Sequence, residues 1–262
     1  MKTKKGGTKN KKGQVTIFVI LAILIVGILI FAFYPNIKKL FVISSPSEFV
    51  SDECLKENIE PVLENVLLVG GNLNPELYFN YNNDSLNYLC YTSEWYKTCV
   101  MQDPLLKQSI EREIEKNSQS DIKECIDKMQ KRFESRGYNV EITGTKKANI
   151  EIVPDKVIVS LDMEMTIEKD GVKQEYPLST FKTSFNSKSY KLVMIASSIQ
   201  NYEARYGDSI IETYMAYYPD VKVEKYKQSD GTKVYIVSHR DTGEKLQFAT
   251  RSLAWPPGYY IA

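Results

Sequence analysis

Cys54, Cys90, Cys99 and Cys125 are the residues of this 262-residue chain whose type and number most directly suggest chemistry. The count is even, and no CxxC pair is present, so a thioredoxin-like redox role lacks its motif. The spacing also lacks the ligand pattern of a four-cysteine zinc site. Structural disulfides are therefore expected, with three connectivities open in principle. Cys90 and Cys99 bracket a short loop containing Thr92, Ser93, Glu94 and Trp95 that has no other evident restraint. Cys54 and Cys125 each fall on the apolar face of a separate helical pattern, so helix packing would bring them together. The pairing expected is Cys54–Cys125 with Cys90–Cys99, as suits four cysteines that all follow an expected membrane span and would lie outside it.

The other reactive side chains are sparse. His239 is the single histidine, which removes most Ser-His-Asp, Cys-His and multi-histidine designs. It lies in the strand-like run Val234–Arg240 with no accompanying nucleophile motif, and reads as a strand-surface residue. No GxSxG, P-loop, HExxH or Gly-rich dinucleotide fingerprint occurs. Asp162 and Glu164, two apart, read as the solvated face of a strand. No catalytic residue, metal ligand or cofactor is expected, and the chain is not expected to be an enzyme. Asn83-Asp84-Ser85 is an N-glycosylation sequon in a turn-prone stretch. Trp255, Tyr259 and Tyr260 surround Pro256-Pro257-Gly258 and suggest an extended aromatic tail suited to a partner.

The elements that would position these residues are legible from periodicity. Ser45-Pro46-Ser47-Glu48 reads as a helix start, followed by an apolar face through Leu67, a kink or division expected at Pro61 and a stop at Gly70-Gly71. Leu77–Tyr81 and Leu86–Tyr91 read as strands around Asn82–Ser85. After Asp103-Pro104, the residues Ile122, Cys125, Ile126, Met129 and Phe133 keep a helical period. Beyond Tyr138 the period becomes that of strands, over Val140–Thr143, Ala148–Val153, Val157–Thr166 and Gln174–Phe185. A helix at 187–206, its continuation over Asp208–Tyr218, and a final meander follow. The expected fold class is α+β: an N-terminal transmembrane helix, a helical subdomain, and a mainly antiparallel sheet with a packed helix. The expected divisions are a basic cytoplasmic tail (1–13), the transmembrane helix (14–35), a helix-rich disulfide-bonded subdomain (45–137) and a sheet-plus-helix subdomain (138–262).

The transmembrane expectation rests on the twenty uncharged residues Val15–Tyr34, fifteen of them Val, Ile, Leu or Phe. Six lysines precede the stretch and Lys38 and Lys39 follow it, so positive-inside reasoning puts the N-terminus in the cytoplasm and 36–262 outside the cell. Residues 1–39 hold eight lysines and no acid; the other 223 carry 26 basic and 33 acidic side chains, a net −7 that excludes a nucleic-acid partner. The lipid bilayer is the expected partner, with envelope proteins or self-association beyond it.

Lys11-Lys12-Gly13-Gln14-Val15-Thr16-Ile17-Phe18, ahead of that apolar stretch, resembles an archaeal prepilin-type (class III) signal. The wider chain resembles uncharacterised archaeal single-span surface proteins. The resemblance implies cleavage between Gly13 and Gln14, and a hydrophobic helix that packs into a filament core. The family usually has Glu at the fifth mature position, where this chain has Phe18. The expected function is a single-pass, membrane-anchored cell-surface protein with a non-catalytic extracellular interaction or envelope role. A pilin-like filament subunit is the alternative and an exported hydrolase the third reading.

Overall fold

The computed structural model describes residues 20–28 and 52–254. The first helix, α1, covers residues 20–28. Among the described residues no helix is long and apolar enough to cross a membrane, which corrects the expected transmembrane helix over 14–35. The signal-like Gly13–Gln14 bond and the helix start at Ser45 lie outside the described residues, as do Trp255, Tyr259 and Tyr260.

The described residues 52–254 fall within one compact unit. The reason is topological. Strand β2 (Asp84–Tyr91) lies beside β12 (Lys245–Arg251) as the parallel pair of a six-stranded sheet. That sheet runs β1 (Tyr78–Tyr81), β2, β12, β11 (Thr232–His239), β10 (Val221–Lys227), with β3 (Val100–Met101) also on β2. Hydrogen bonds between the early and late parts of the chain thus hold the two together. The β1–β2 hairpin closes on Asn82 and Asn83, both at positive φ (49° and 73°), the turn whose twist matches paired strands.

One face of the sheet presents Tyr235 and Phe248, stacked at 5.3 Å, with the adjacent Val237 and Leu246 equally buried. Helices α2 (Asp52–Leu68) and α4 (Ser189–Tyr206) both pack on β12, and α4 also on β11. The other face carries Leu86, Tyr88, Val234 and Ala249 with the half-buried Phe79, Tyr81 and Tyr91. Helix α2 runs as one helix through Pro61, so of the kink or division expected there the division does not occur. An interior proline costs about 3 kcal/mol, and burial of Ile59, Leu63, Val66 and Leu67 around it offsets that.

Helix α3 (Leu106–Ser135) lies against α2 and against β5 (Ala148–Val153). Its acids are not all the plain solvated face expected. β5 is a sheet-edge strand, and its outward N–H groups at Ile150 and Ile152 donate to Glu115 and Glu111 of α3 at 2.8 and 2.7 Å. Those bonds cover an edge that would otherwise be open to pairing.

The middle of the chain forms two three-stranded antiparallel sheets, β4 (Asn139–Thr143)–β7 (Glu164–Lys169)–β8 (Val172–Tyr176) and β5–β6 (Lys156–Leu161)–β9 (Lys182–Asn186). In effect three long strands are each broken once. The run expected as one strand over Gln174–Phe185 is divided by a 3-10 turn at Leu178–Thr180. Gly144, at φ +100°, marks the first break: a Cβ there would stand 2.7 Å from the Asp162 carbonyl oxygen. Asp162 bridges the same break, its carbonyl accepting from Lys146 N–H at 3.0 Å and its carboxylate from Thr145. It is therefore a junction residue, while Glu164 is exposed as expected. The last short helix is α5 (Ile211–Tyr217), shorter than the expected Asp208–Tyr218.

Candidate functional site

The cysteines pair as Cys54–Cys125 and Cys90–Cys99, with Cα separations of 6.1 and 5.4 Å. The first bridge ties α2 to α3. The second closes a loop whose Trp95 and Tyr96 are exposed while its backbone is held: Tyr96 N–H donates to Leu253 O, and Leu253 N–H to Lys97 O. Asn83 lies exposed at the tip of the β1–β2 hairpin, where its side chain is accessible.

His239 is buried, with 4% of its surface exposed, which corrects the strand-surface reading. The residue ends β11 beneath the Asp241–Gly243 turn. Its Nδ1 accepts from Thr242 N–H at 3.3 Å, which leaves the ring proton on Nε2, 3.2 Å from Asp220 Oδ2. The Thr242 hydroxyl is also 3.3 Å from Nδ1. A general base must accept the nucleophile's proton on a free lone pair. Here a backbone N–H already occupies it, so the Asp220–His239–Thr242 arrangement holds a turn.

Glu203 of α4 is fully buried. Lys233 Nζ lies 2.6 Å from its Oε2, Tyr235 donates to its Oε1, and Ser209 N–H donates to Oε1 at 3.2 Å. Burial pushes the Glu203 carboxyl above its ordinary range against the opposing charge of Lys233. Burial, then the neighbouring Glu203 carboxylate, pushes the Tyr235 hydroxyl well above its own. Asp208 beside them is raised by burial, but Lys233, Lys225 and Lys227 outweigh it and hold that carboxyl low. With every side chain engaged inside the fold, this is an ion-paired core. The sequence signal for it was slight: Lys233 and Tyr235 alternate on β11 like any strand pair.

Two accessible concavities flank the N-terminus of α4. Glu244, in the β11–β12 connection, caps that helix from outside it: its carboxylate accepts Lys188 N–H at 2.9 Å and the Ser187 hydroxyl at 2.6 Å. On one side, a cavity of about 500 Å³ lies between Leu63 and Leu67 of α2, Phe185, and Thr242–Lys245. Of the carboxylates that line it, Glu60, Glu64 and Glu244, the last is already committed to the cap.

On the other side, a cavity of about 510 Å³ is lined by Tyr190, Lys191, Met194 and Ile195 of α4, Tyr214 and Tyr218, and Asp155 of the β5–β6 turn. The Asp155 carboxylate is 2.7 Å from Lys188 Nζ, and the Asp155 carbonyl accepts Ser187 N–H at 3.1 Å. Lys191 pairs with Asp220, and the Tyr214 and Ser198 hydroxyls are 3.0 Å apart. The pairing with Lys188 holds the Asp155 carboxyl below its usual value, and Lys191 does the same for Asp220. Polar groups fixed beside apolar and aromatic walls are what a small-molecule site requires, and the volume fits the usual range of about 300–1,000 Å³. Sequence reasoning did not single out this cavity. The Tyr214, Tyr217, Tyr218 cluster before Pro219 was its only local signal, and nothing in the sequence joins residue 155 to residue 188.

Among the described residues no group of three or more His, Cys, Asp or Glu is placed to hold a metal ion. No family model matches the chain, and neither the curated proteins nor the solved structures include a significant match to it.

Proposed function

We propose that this chain is an exported, non-catalytic binding component of the cell envelope, with residues 36–262 outside the cell. The two disulfides carry the reading: such bridges persist in oxidising compartments and are rare where thiols are kept reduced. The occupied lone pair of His239 supports a binding role over hydrolysis. The amphipathic cavity beside α4 supports a small or repeating ligand more than a flat protein interface.

The test is made in producing cells quenched in acid and then alkylated. All four cysteines should resist alkylation until reductant is added. Protease applied to intact cells should remove the folded unit. Free thiols in rapidly quenched cells, or full protection of 52–254 from protease, would overturn the export reading.

A further inference from the structure

The cavity between α4, α5 and the β5–β6 turn has a chemistry that selects a ligand class. Tyr190, Tyr214 and Tyr218 line it with aromatic surface. Its two lysines are already matched, Lys188 to Asp155 at 2.7 Å and Lys191 to Asp220 at 2.5 Å. Charge within these two pairs is therefore balanced. Neither an anionic nor a cationic ligand would find an unpaired counter-charge in these two pairs. Hydrogen-bonding capacity remains, because an ammonium has three donors and a carboxylate about four acceptor positions. Asp155 exposes most of its side chain, leaving acceptor positions open to solvent.

The polar wall is also held in place before any ligand arrives. Glu244 anchors the Lys188 backbone, Ser187 N–H anchors the Asp155 carbonyl, and Ser198 fixes the Tyr214 hydroxyl. Fixed donors and acceptors of opposite charge can each bind one of two neighbouring hydroxyls. Aromatic faces beside them suit the C–H surface of the same molecule. We infer that this cavity binds a neutral saccharide, its hydroxyls on the Lys188–Asp155 and Lys191–Asp220 pairs and its ring faces against the tyrosines. The inference rests on the exported-binding reading above and supplies its ligand class.

The experiment uses the purified full-length chain on immobilised neutral hexose and N-acetylhexosamine oligosaccharides, with uronic-acid oligosaccharides alongside. Binding to at least one neutral oligosaccharide is expected, and added salt should not abolish it. Tyr218→Ala should weaken it by about tenfold, in keeping with the loss of one aromatic face. Asp155→Asn, at an exposed position that does not threaten folding, should weaken it in the same direction. Tyr217→Ala, 78% exposed and outside the lining, should leave it unchanged. Three results overturn the inference: no neutral oligosaccharide retained, retention equal in wild type, Tyr218→Ala and Asp155→Asn, or retention of uronic-acid oligosaccharides alone. None of these bears on export, which the thiol and protease measurements decide separately.

Discussion

Replacing Lys233 with Met tests whether the core of this protein contains a compensated buried ion pair. Lys233 has 8% of its side chain exposed and Glu203 none, and their charged atoms are 2.6 Å apart. Methionine keeps the aliphatic volume and removes the ammonium, so Glu203 keeps the hydrogen bonds from Tyr235 and Ser209 but loses its counter-charge. Breaking a buried pair from one side costs about 3–5 kcal/mol. For a chain of this size that corresponds to a fall in Tm of roughly 6–20 °C. Urea denaturation followed by tyrosine fluorescence gives the free energy directly. Glu203→Gln in the Lys233→Met background should recover most of the loss, since the amide oxygen still accepts from Tyr235 and no charge is left uncompensated.

The pH dependence has a definite sign. A carboxyl raised by folding contributes stability that is complete below its ordinary value and is lost as pH climbs through the raised one. Lys233→Met raises Glu203 further, so its penalty should be largest near neutral pH and shrink as pH falls towards about 4.5. Asp208, held low, contributes the opposite way: its stabilisation is present above its ordinary value and is lost as pH falls through the lowered one. A Lys233→Met variant that loses under about 1 kcal/mol at neutral pH, or that the second substitution fails to rescue, would refute the reasoning.

Three further outcomes are expected. In the chain-entropy account, Cys54→Ala/Cys125→Ala, which opens a bridge of sequence separation 71, should lose about 4 kcal/mol; Cys90→Ala/Cys99→Ala, of separation 9, should lose a little under 3, both measured by equilibrium denaturation. Glu111→Ala should cost about 1–3 kcal/mol in the same assay, because the buried Ile152 N–H loses its acceptor, and hydrogen exchange at Ile152 should speed up; unchanged exchange would mean that the β5 edge is satisfied some other way. Gly144→Ala should destabilise by at least about 1 kcal/mol through its φ of +100° and the 2.7 Å approach to Asp162, and a variant as stable as wild type would show that the β4–β5 break can relax.

Local pattern determined much of this protein. The period of Ile122, Cys125, Ile126, Met129 and Phe133 marked α3, alternation marked β5, β6 and β11, and the Asn82-Asn83 pair marked a hairpin, because each depends on neighbours within one or two turns of chain. The favoured cysteine pairing came from the same source, since Cys54 and Cys125 each share the apolar stripe of their helix. The apolar run at 15–34 led instead to a membrane helix that the described residues do not contain; hydropathy counts residues, and only 20–28 is described as helix. Continuity at Pro61 was likewise invisible locally, because burial on both sides of the proline outweighs its missing N–H. Tertiary structure alone decided the joining of β2 to β12, the cover of the β5 edge by Glu111 and Glu115, the burial of His239, and the meeting of Asp155, Lys188 and Tyr218 around one cavity. Each of these depends on groups far apart in the sequence. Such contacts depend on how the helices and sheets pack, and no periodicity along the chain encodes that.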